Sequence, residues 1–196
     1  MCDIKVELLK HPTEADWAFC KTCTLNTVGK QSTVLPKEEW MIALVESEHS
    51  PLRELIYAFR LTIPYYVSVH LCRHHVSVNH YVQSQRNDRQ DNYDRTKAPQ
   101  DAMVSHIISM NMQSFVHLSH NRLCMQADKT TRKVVEEMVR LANETNPEMK
   151  SVLVPKCIKE GGCCEFSPCG LWEGFIENNK EKNLLNKKER CNIYAK

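Results

Sequence analysis

Three segments of the chain alternate between hydrophobic and polar positions or are rich in β-forming residues. Ile4–Leu9 alternates and predicts a first strand. Leu55–Ile63 predicts a second strand, because it is rich in β-formers and stops at Pro64, where a backbone donor is lost. Val76–Gln85 is again strand-like. The pattern therefore predicts a sheet whose strands are separated by other elements.

Helical periodicity and capping signals occupy most of the remaining chain. Thr13 followed by Asp16 has the form of a capping box, and Pro36 is tolerated at a helix start. The predicted helices run from Thr13 to about Leu25, from Pro36 to about Glu46, from Tyr65 to His75, and from Ala102 to about Asn143. The last of these is expected to be two helices separated near Asp128.

One stripe of the predicted helix after Ala102 combines apolar residues with two polar ones. At 100° per residue the stripe contains Val104, Ile108, Asn111, Phe115, Leu118 and Arg122. A buried, unpaired guanidinium costs several kcal/mol, so Arg122 needs a partner. That partner is either a ligand shared with Asn111 or an internal carboxylate, unless Arg122 extends to solvent at the helix end.

Length and composition indicate one folded domain. The chain has 196 residues, of which 42% are hydrophobic and 26% charged, which is enough for one hydrophobic core but not for two ordinary ones. We expect an α+β fold in which helices flank a mixed or antiparallel sheet. The whole of 1–196 is treated as one catalytic domain, with a cysteine-rich loop and a basic tail in 151–196.

The overall charge gives no strong attraction to nucleic acid or to an anionic membrane. The formal net charge is +2 with the 9 histidines neutral, so any anion site must be local. No stretch approaches the ~18 apolar residues that span a bilayer, and the first residues lack the form of an export signal. The expected location is the cytoplasm, with no membrane partner.

A local cationic region is the first candidate site. His70, Arg73 and His74 share one helical face through their i, i+3, i+4 spacing. Further along the chain lie Ser84, Arg86, Arg89 and Arg95, whose guanidinium groups have the forked geometry that suits phosphate. The alternative is a solvated polar face with salt bridges to Asp88, Asp91 and Asp94.

Four cysteines near the C-terminal end are the second candidate site. Cys157, Cys163, Cys164 and Cys169 lie on a segment that also holds three of the five glycines. Four thiolates on a flexible loop can bind zinc in tetrahedral geometry. Their spacing differs from the usual paired knuckle, so buried reduced thiols remain the alternative.

Several motifs resemble the flavin-dependent thymidylate synthases (ThyX), in the form of a divergent phage or anaerobe type. They are Glu48-His49-Ser50-Pro51-Leu52-Arg53-Glu54, then Arg73-His74-His75, then Ser84-Gln85-Arg86, and finally the pair Asn111 and Arg122 with the spacing of the family. The resemblance covers about residues 1–145 in order. It implies reductive methylation of dUMP to dTMP with FAD, NADPH and methylenetetrahydrofolate, in a homotetramer whose active sites are shared between subunits.

The resemblance also implies roles for individual residues. The residues implied to bind dUMP are His70, Arg73, Ser84, Gln85, Arg86, Arg95 and Arg122. Those implied to contact FAD are Arg73, His74, His75, Asn79, Asn111 and His117. Arg122 is the catalytic residue in this scheme, because a guanidinium at the pyrimidine N3 favours the anionic ring that directs electron density to C5.

The chain departs from the family pattern at several of these positions. His75 stands where the family has arginine, Ser84 lies one residue beyond the strict spacing, and His80 and His117 replace an acidic residue and an asparagine. These changes leave open a related pyrimidine nucleotide hydroxymethylase that uses the same site. A further alternative is a zinc-stabilised module that binds single-stranded nucleic acid, with Tyr81 and Tyr93 stacking on bases. The near-neutral charge disfavours nucleic acid as a partner.

Overall fold

The computed structural model describes residues 3–89, 94–179 and 187–195. Its strands are β1 (Lys5–Lys10), β2 (Ile56–Pro64), β3 (Val78–Val82) and β4 (Met103–Asn111). The helices are α1 (Glu14–Asn26), α2 (Glu38–Glu46), α3 (Tyr65–Cys72), α4 (Met112–Arg122), α5 (Lys129–Thr145), α6 (Lys156–Glu160), α7 (Leu171–Glu177) and α8 (Lys187–Tyr194). Two short 3₁₀ helices cover Ser50–Glu54 and Pro147–Met149.

The four strands form one antiparallel sheet in the order β1-β2-β4-β3. Strand β2 lies inside the sheet and buries every second side chain, as expected for a strand with one face in the core. Helix α4 packs on β2 and β4, and α5 packs on α3 and α4. The predicted α+β class, with an antiparallel sheet flanked by helices, is confirmed.

An aromatic cluster fixes α4 on the sheet. The Phe115 ring of α4 lies 5.3 Å from the ring of Tyr57 and 5.5 Å from that of Phe59. All three side chains are fully buried. The Tyr57 hydroxyl donates a hydrogen bond of 3.0 Å to Asn146 Oδ1, which ties the end of α5 to the sheet. The core therefore holds α4, which carries Arg122, in a fixed position.

Replacing Tyr57 by phenylalanine should lower the free energy of unfolding by about 1–3 kcal/mol, because the buried amide oxygen of Asn146 loses its donor. Urea unfolding followed by circular dichroism measures this change. Tyr81→Phe is the matched control, since Tyr81 is exposed on β3, and it should leave stability unchanged. Equal stability of the two variants would contradict the role given to the Tyr57 hydroxyl.

The helix predicted from Ala102 is wrong over its first part. Met103–Asn111 is strand β4, paired on one side with β2 and on the other with β3. The predicted stripe was ambiguous because a spacing of four residues keeps Val104 and Ile108 on one face of a helix and also on one face of a strand. Its pairing with two neighbouring strands shows that this segment is a strand. The prediction of two helices separated near Asp128 is confirmed, because α4 and α5 follow this strand.

Smaller differences concern the ends of elements. The capping box at Thr13 is confirmed, with Asp16 as its partner. Helix α2 begins at Glu38 with Lys37 as its cap, so Pro36 lies just outside it. Helix α3 ends at Cys72, earlier than predicted. The cysteine-rich segment is not entirely loop, because it contains α6. Within the described residues, no helix combines the length and apolar character needed to cross a membrane.

Candidate active site

Two cavities that share no lining residue contain most of the predicted ligand-binding residues. The first, called the loop cavity, has a volume of about 390 Å³ and is lined by Tyr65, Ser68, Val69, Cys72, Val82, Gln83, Ser84, Gln85, Arg86 and Arg95. The second, called the helix-end cavity, has a volume of about 350 Å³ and is lined by Arg73, His74, His117, Asn121, Arg122, Cys124, Gln126, Ala127 and Glu165. Both volumes fall within the range of small-molecule sites.

The loop cavity presents its cationic groups close to water. The Arg86 guanidinium forms a two-point ion pair with Asp88, through Nε at 2.9 Å and Nη2 at 2.6 Å. Both side chains are largely exposed, so the pair contributes little to stability. The Arg86 backbone N–H donates to Ser84 Oγ at 3.3 Å. A phosphate could take the place of the Asp88 carboxylate, because its oxygens match the same guanidinium fork.

The helix-end cavity contains a guanidinium held from two sides. Arg122 Nε donates to His74 Nε2 at 2.9 Å, and Arg122 Nη2 donates to the His70 carbonyl oxygen at 3.0 Å. Among the described residues, no hydrogen bond involves Arg122 Nη1. The internal partners of Arg122 are therefore a neutral imidazole ring and a backbone carbonyl, and not the carboxylate considered from the sequence. This arrangement orients the guanidinium while leaving its positive charge unneutralised.

His74 is neutral in this arrangement. Burial, together with the nearby positive charge of Arg122, lowers the pKa of His74 to about 4. Because Nε2 accepts from Arg122, the single ring proton must lie on Nδ1. The His117 ring lies edge-on at 5.8 Å and is exposed. The cavity thus places one half-buried and one exposed imidazole beside the arginine.

A chain of hydrogen bonds connects the two cavities beneath α3. When both rings are neutral, Ser68 Oγ donates to His106 Nδ1 at 3.1 Å, and His106 Nε2 donates to His80 Nδ1 at 3.0 Å. His80 Nε2 then donates to the His74 carbonyl oxygen at 2.8 Å. The ligating atoms of Cys72, His80 and His106 also lie within 4.8 Å of one another. The chain fixes the backbone that carries His74.

The buried His106 and the half-buried His74 predict a pH-dependent stability. Burial lowers the pKa of both His74 and His106 from 6.5 to about 4. Below pH 6.5 the unfolded chain binds protons that the folded chain excludes, so the free energy of unfolding should fall between pH 6.5 and 4 and be fully present above that range. Acidification should lower the free energy of unfolding by up to about 3 kcal/mol through the fully buried His106, and by less through the half-buried His74, because solvent screens part of its charge.

Urea unfolding at pH 7.5 and pH 5 measures this dependence. His106→Gln removes one titrating group and should reduce the difference between the two pH values, whatever its effect on absolute stability. The interpretation is contradicted if the wild-type chain is equally stable at both pH values, or if His106→Gln retains the full difference.

Four predicted residues do not line either cavity. His70 Nδ1 is hydrogen-bonded to Thr131 Oγ1 at 2.9 Å, although its carbonyl holds Arg122. His75 is exposed, and its Nδ1 donates to the Arg73 carbonyl at 3.1 Å. Asn79 lies on the exposed face of β3. Asn111 is the N-cap of α4, and its Oδ1 accepts from the Ser114 backbone N–H at 2.9 Å. Its predicted position on a helical face with Arg122 is therefore wrong.

Other residues of the cavities were missed by sequence reasoning. Tyr65, Ser68 and Cys72 line the loop cavity, and His106 joins the hydrogen-bond chain. A signal existed only for His106, which is a lone histidine at an otherwise apolar alternating position. Tyr93 and Asp91, considered as a stacking group and a salt-bridge partner, lie outside the described residues.

The predicted metal ligands lie together at a separate place. Cys157, Cys163, Cys164 and Cys169 line a cavity of about 20 Å³, with Cys124 as a fifth cysteine. The Cys124 residue also lines the helix-end cavity. Burial raises the pKa of Cys157 to about 11, so its thiol is a poor nucleophile without a cation.

Two larger cavities lie elsewhere. One of about 580 Å³ lies along α5 and the end of α8, and one of about 410 Å³ lies beside the start of α1. Neither contains a residue of the predicted site. Convergence of several guanidinium and imidazole groups, not volume, therefore identifies the loop and helix-end cavities as the candidate site.

Comparison with known proteins gives a likeness of fold. No family model matches the chain, and neither does any curated protein sequence. The fold is similar to the crystal structure of a UMP/dUMP methylase, PolB from Streptomyces cacaoi, bound with 5-Br dUMP. The TM-score is 0.58 at 16% sequence identity, over 75% of this chain and 93% of that one.

Proposed function

We propose that this chain is a flavin-dependent enzyme that methylates C5 of dUMP to give dTMP, with methylenetetrahydrofolate as the carbon donor and NADPH as the reductant. The observation that carries the proposal is the Arg122 guanidinium, held by a neutral His74 and the His70 carbonyl at the edge of a ligand-sized cavity. The fold likeness to a methylase whose crystal contains 5-Br dUMP supports the same substrate class.

Arg122 recognises the pyrimidine ring in this proposal. Its unneutralised charge favours a uracil ring that carries negative charge at N3 and the neighbouring carbonyl oxygen. That charge increases the electron density at C5, where the new carbon bond forms. The two fixed contacts of Arg122 mean that little reorganisation is needed when the ring binds. The residue is thus both a substrate ligand and the catalytic group.

The loop cavity binds the nucleotide phosphate. Arg86 exchanges its exposed Asp88 partner for phosphate oxygens, while Ser84 and Gln85 supply short polar groups and Arg95 a second guanidinium. Because the Arg86–Asp88 pair is solvent-exposed, breaking it costs little. The cationic character of this loop is then explained by its ligand, although the chain as a whole is nearly neutral.

The groups around the helix-end cavity fit a flavin ring. Arg73 and Arg122 offer donors to its carbonyl oxygens and ring nitrogens, and the imidazoles of His74 and His117 offer an aromatic wall. When bound, FAD would carry the hydride from NADPH, and methylenetetrahydrofolate would supply the carbon. No cysteine nucleophile is needed for this reaction. The remaining role of the protein is to orient the rings and to exclude water.

The separation of the two cavities supports a site shared between subunits. Within one chain, the groups proposed for phosphate and those proposed for the pyrimidine line two cavities that share no residue. A homotetramer would allow the loop cavity of one subunit to face the helix-end cavity of another. The nucleotide would then be bound by both chains.

Spectroscopic titration with FAD and dUMP tests the proposal at the level of binding. We expect a perturbed flavin spectrum, and a thermal stabilisation with dUMP equivalent to about 2.7 kcal/mol at a ligand concentration a hundred times Kd. dAMP is the matched control nucleotide, because it carries the same phosphate without a uracil ring. A protein that binds no flavin and shows no thermal shift with dUMP would sink the proposal.

A further inference from the structure

The cavity lined by cysteines has the size of a single bound atom. Its volume is about 20 Å³, above the ~10–15 Å³ that one water molecule requires. The residues around it come from three places: the end of α4, the start of α6, and the loop between α6 and α7. Five of them are cysteines, and all five are free thiols. A shared cavity of this kind is suited to a thiophilic cation.

Four of the five thiols are at least partly buried: Cys157 is buried, and Cys124, Cys163 and Cys169 are half-buried. Burial raises the pKa of the Cys124 thiol, and the neighbouring Cys169 raises it further. Cys157 interacts electrostatically with Cys163, Cys124 and Cys169. The fifth thiol, Cys164, is exposed to solvent. The natural set of four is therefore Cys124, Cys157, Cys163 and Cys169.

The loop that carries two of these thiols has few other means of support. Phe166 is fully exposed at its centre, and the segment between α6 and α7 is mostly solvent-accessible. Positive φ angles of 80° and 81° at Gly161 and Gly170 turn the chain at its two ends. The side-chain amide of Gln126 donates to the Ser167 carbonyl, which attaches the loop to the segment after α4. A cross-link at the thiols would complete this attachment.

We propose that Cys124, Cys157, Cys163 and Cys169 bind one zinc ion as a tetrahedral, structural thiolate site that joins the C-terminal segment to the end of α4. Zinc fits because it accepts four thiolates without a redox change. Among the described residues, no three of these sulfurs lie within 4.8 Å of one another. Metal binding must therefore rotate the side chains until the sulfurs are about 3.8 Å apart, as zinc–sulfur bonds of about 2.3 Å require.

The site would also support the helix-end cavity. Cys124 and Glu165 line both cavities, and Cys124 is two residues beyond Arg122. Fixing Cys124 therefore fixes one wall of the cavity in which Arg122 lies. An effect of zinc on turnover rests on the proposed function, because it requires the helix-end cavity to be the active site. The zinc site itself does not depend on the reaction.

Metal analysis of the full chain, purified under reducing conditions without chelator and exchanged against zinc, tests the site. We expect about one zinc per chain and, after exchange with Co²⁺, the intense visible absorption of a tetrahedral cobalt–thiolate centre. The cobalt spectrum is recorded on the unaltered chain, so it does not depend on how variants fold. Absence of both signals, or iron with sulfide in place of zinc, overturns the proposal.

Variants then identify the ligands. Cys124→Ser and Cys163→Ser should each lose most of the zinc, with circular dichroism used to check the fold. Cys164→Ser is the matched control, because Cys164 lies in the same loop directly beside a proposed ligand. It should retain the zinc, because Cys164 is not one of the four proposed ligands. Loss of zinc in Cys164→Ser equal to that in Cys163→Ser overturns the assignment. So does retention in Cys163→Ser with loss in His106→Ala, which would place the ion at Cys72, His80 and His106.

Discussion

Arg122→Ala should reduce turnover of dUMP by on the order of a hundredfold or more, because it removes the only group proposed to stabilise negative charge on the pyrimidine ring. The fold should survive the change. Arg122 is half-buried at the end of α4, and its loss leaves one acceptor on His74 and one on the His70 carbonyl without this donor. That costs about 1–3 kcal/mol.

Initial rates of product formation, together with urea unfolding of the same samples, separate the two effects. Arg140→Ala is the matched control, since Arg140 lies on an exposed turn of α5 where it pairs with Glu137 and Glu144. It should retain full turnover. Activity of Arg122→Ala near the wild-type level would remove Arg122 from the catalytic role, whatever its effect on stability.

Mixing two inactive variants should restore activity if the site is shared between subunits. Arg86→Ala disables the proposed phosphate site in the loop cavity, and Arg122→Ala disables the pyrimidine site in the helix-end cavity. After the two variants are refolded together in equal amounts, the loop cavity and the helix-end cavity of each site come independently from either variant. Roughly a quarter of the sites then receive both intact halves, so activity should return to roughly a quarter of wild type.

A site built within one chain gives a different result. Every chain in the mixture carries one defect, so no site would be intact and no activity would return. The control is each variant refolded alone, which should stay inactive. Sedimentation analysis of the wild-type chain adds an independent measure, because a monomer at assay concentrations would exclude sharing.

The sequence was a good guide where local signals and tertiary structure agree. The capping box at Thr13 and the β-rich segment before Pro64 both lie at the predicted places. It failed at 103–111, where a spacing of four residues satisfies a helix and a strand equally. What decides there is pairing with β2 and β3, and such pairing cannot be read from a single segment.

Some residues of the site could be predicted from the sequence, but their distribution over two separate cavities could not. The run of cationic residues at the end of α3 identified Arg73 and His74, and the basic loop identified Arg86. The predicted helical face did not form, because α3 ends before Arg73 and His74. The sequence could not show that these groups occupy two cavities, because that depends on how α3 packs between β4 and α5. Nor could the sequence show that the Asn111 side chain caps α4 by accepting a hydrogen bond from the Ser114 backbone N–H.

The thiol cluster illustrates the same limit. Cys157, Cys163 and Cys169 are recognisable as a set because they lie within one short segment. Cys124 is far from them in sequence and reaches the cluster only because α4 ends beside α6. The sequence therefore offered Cys164 as the fourth member, and the structure adds Cys124 as a fifth cysteine of the same cavity.

The most direct test of the central claim is the mass of the pyrimidine product after anaerobic incubation of the chain with FAD, NADPH, methylenetetrahydrofolate and dUMP. The proposal predicts conversion of dUMP to dTMP, heavier by one CH₂ group, with on the order of a hundredfold less formed by Arg122→Ala. A product heavier by CH₂O would indicate a hydroxymethylase that uses the same site. Unchanged dUMP with every component present would contradict the claim that this chain methylates a pyrimidine nucleotide.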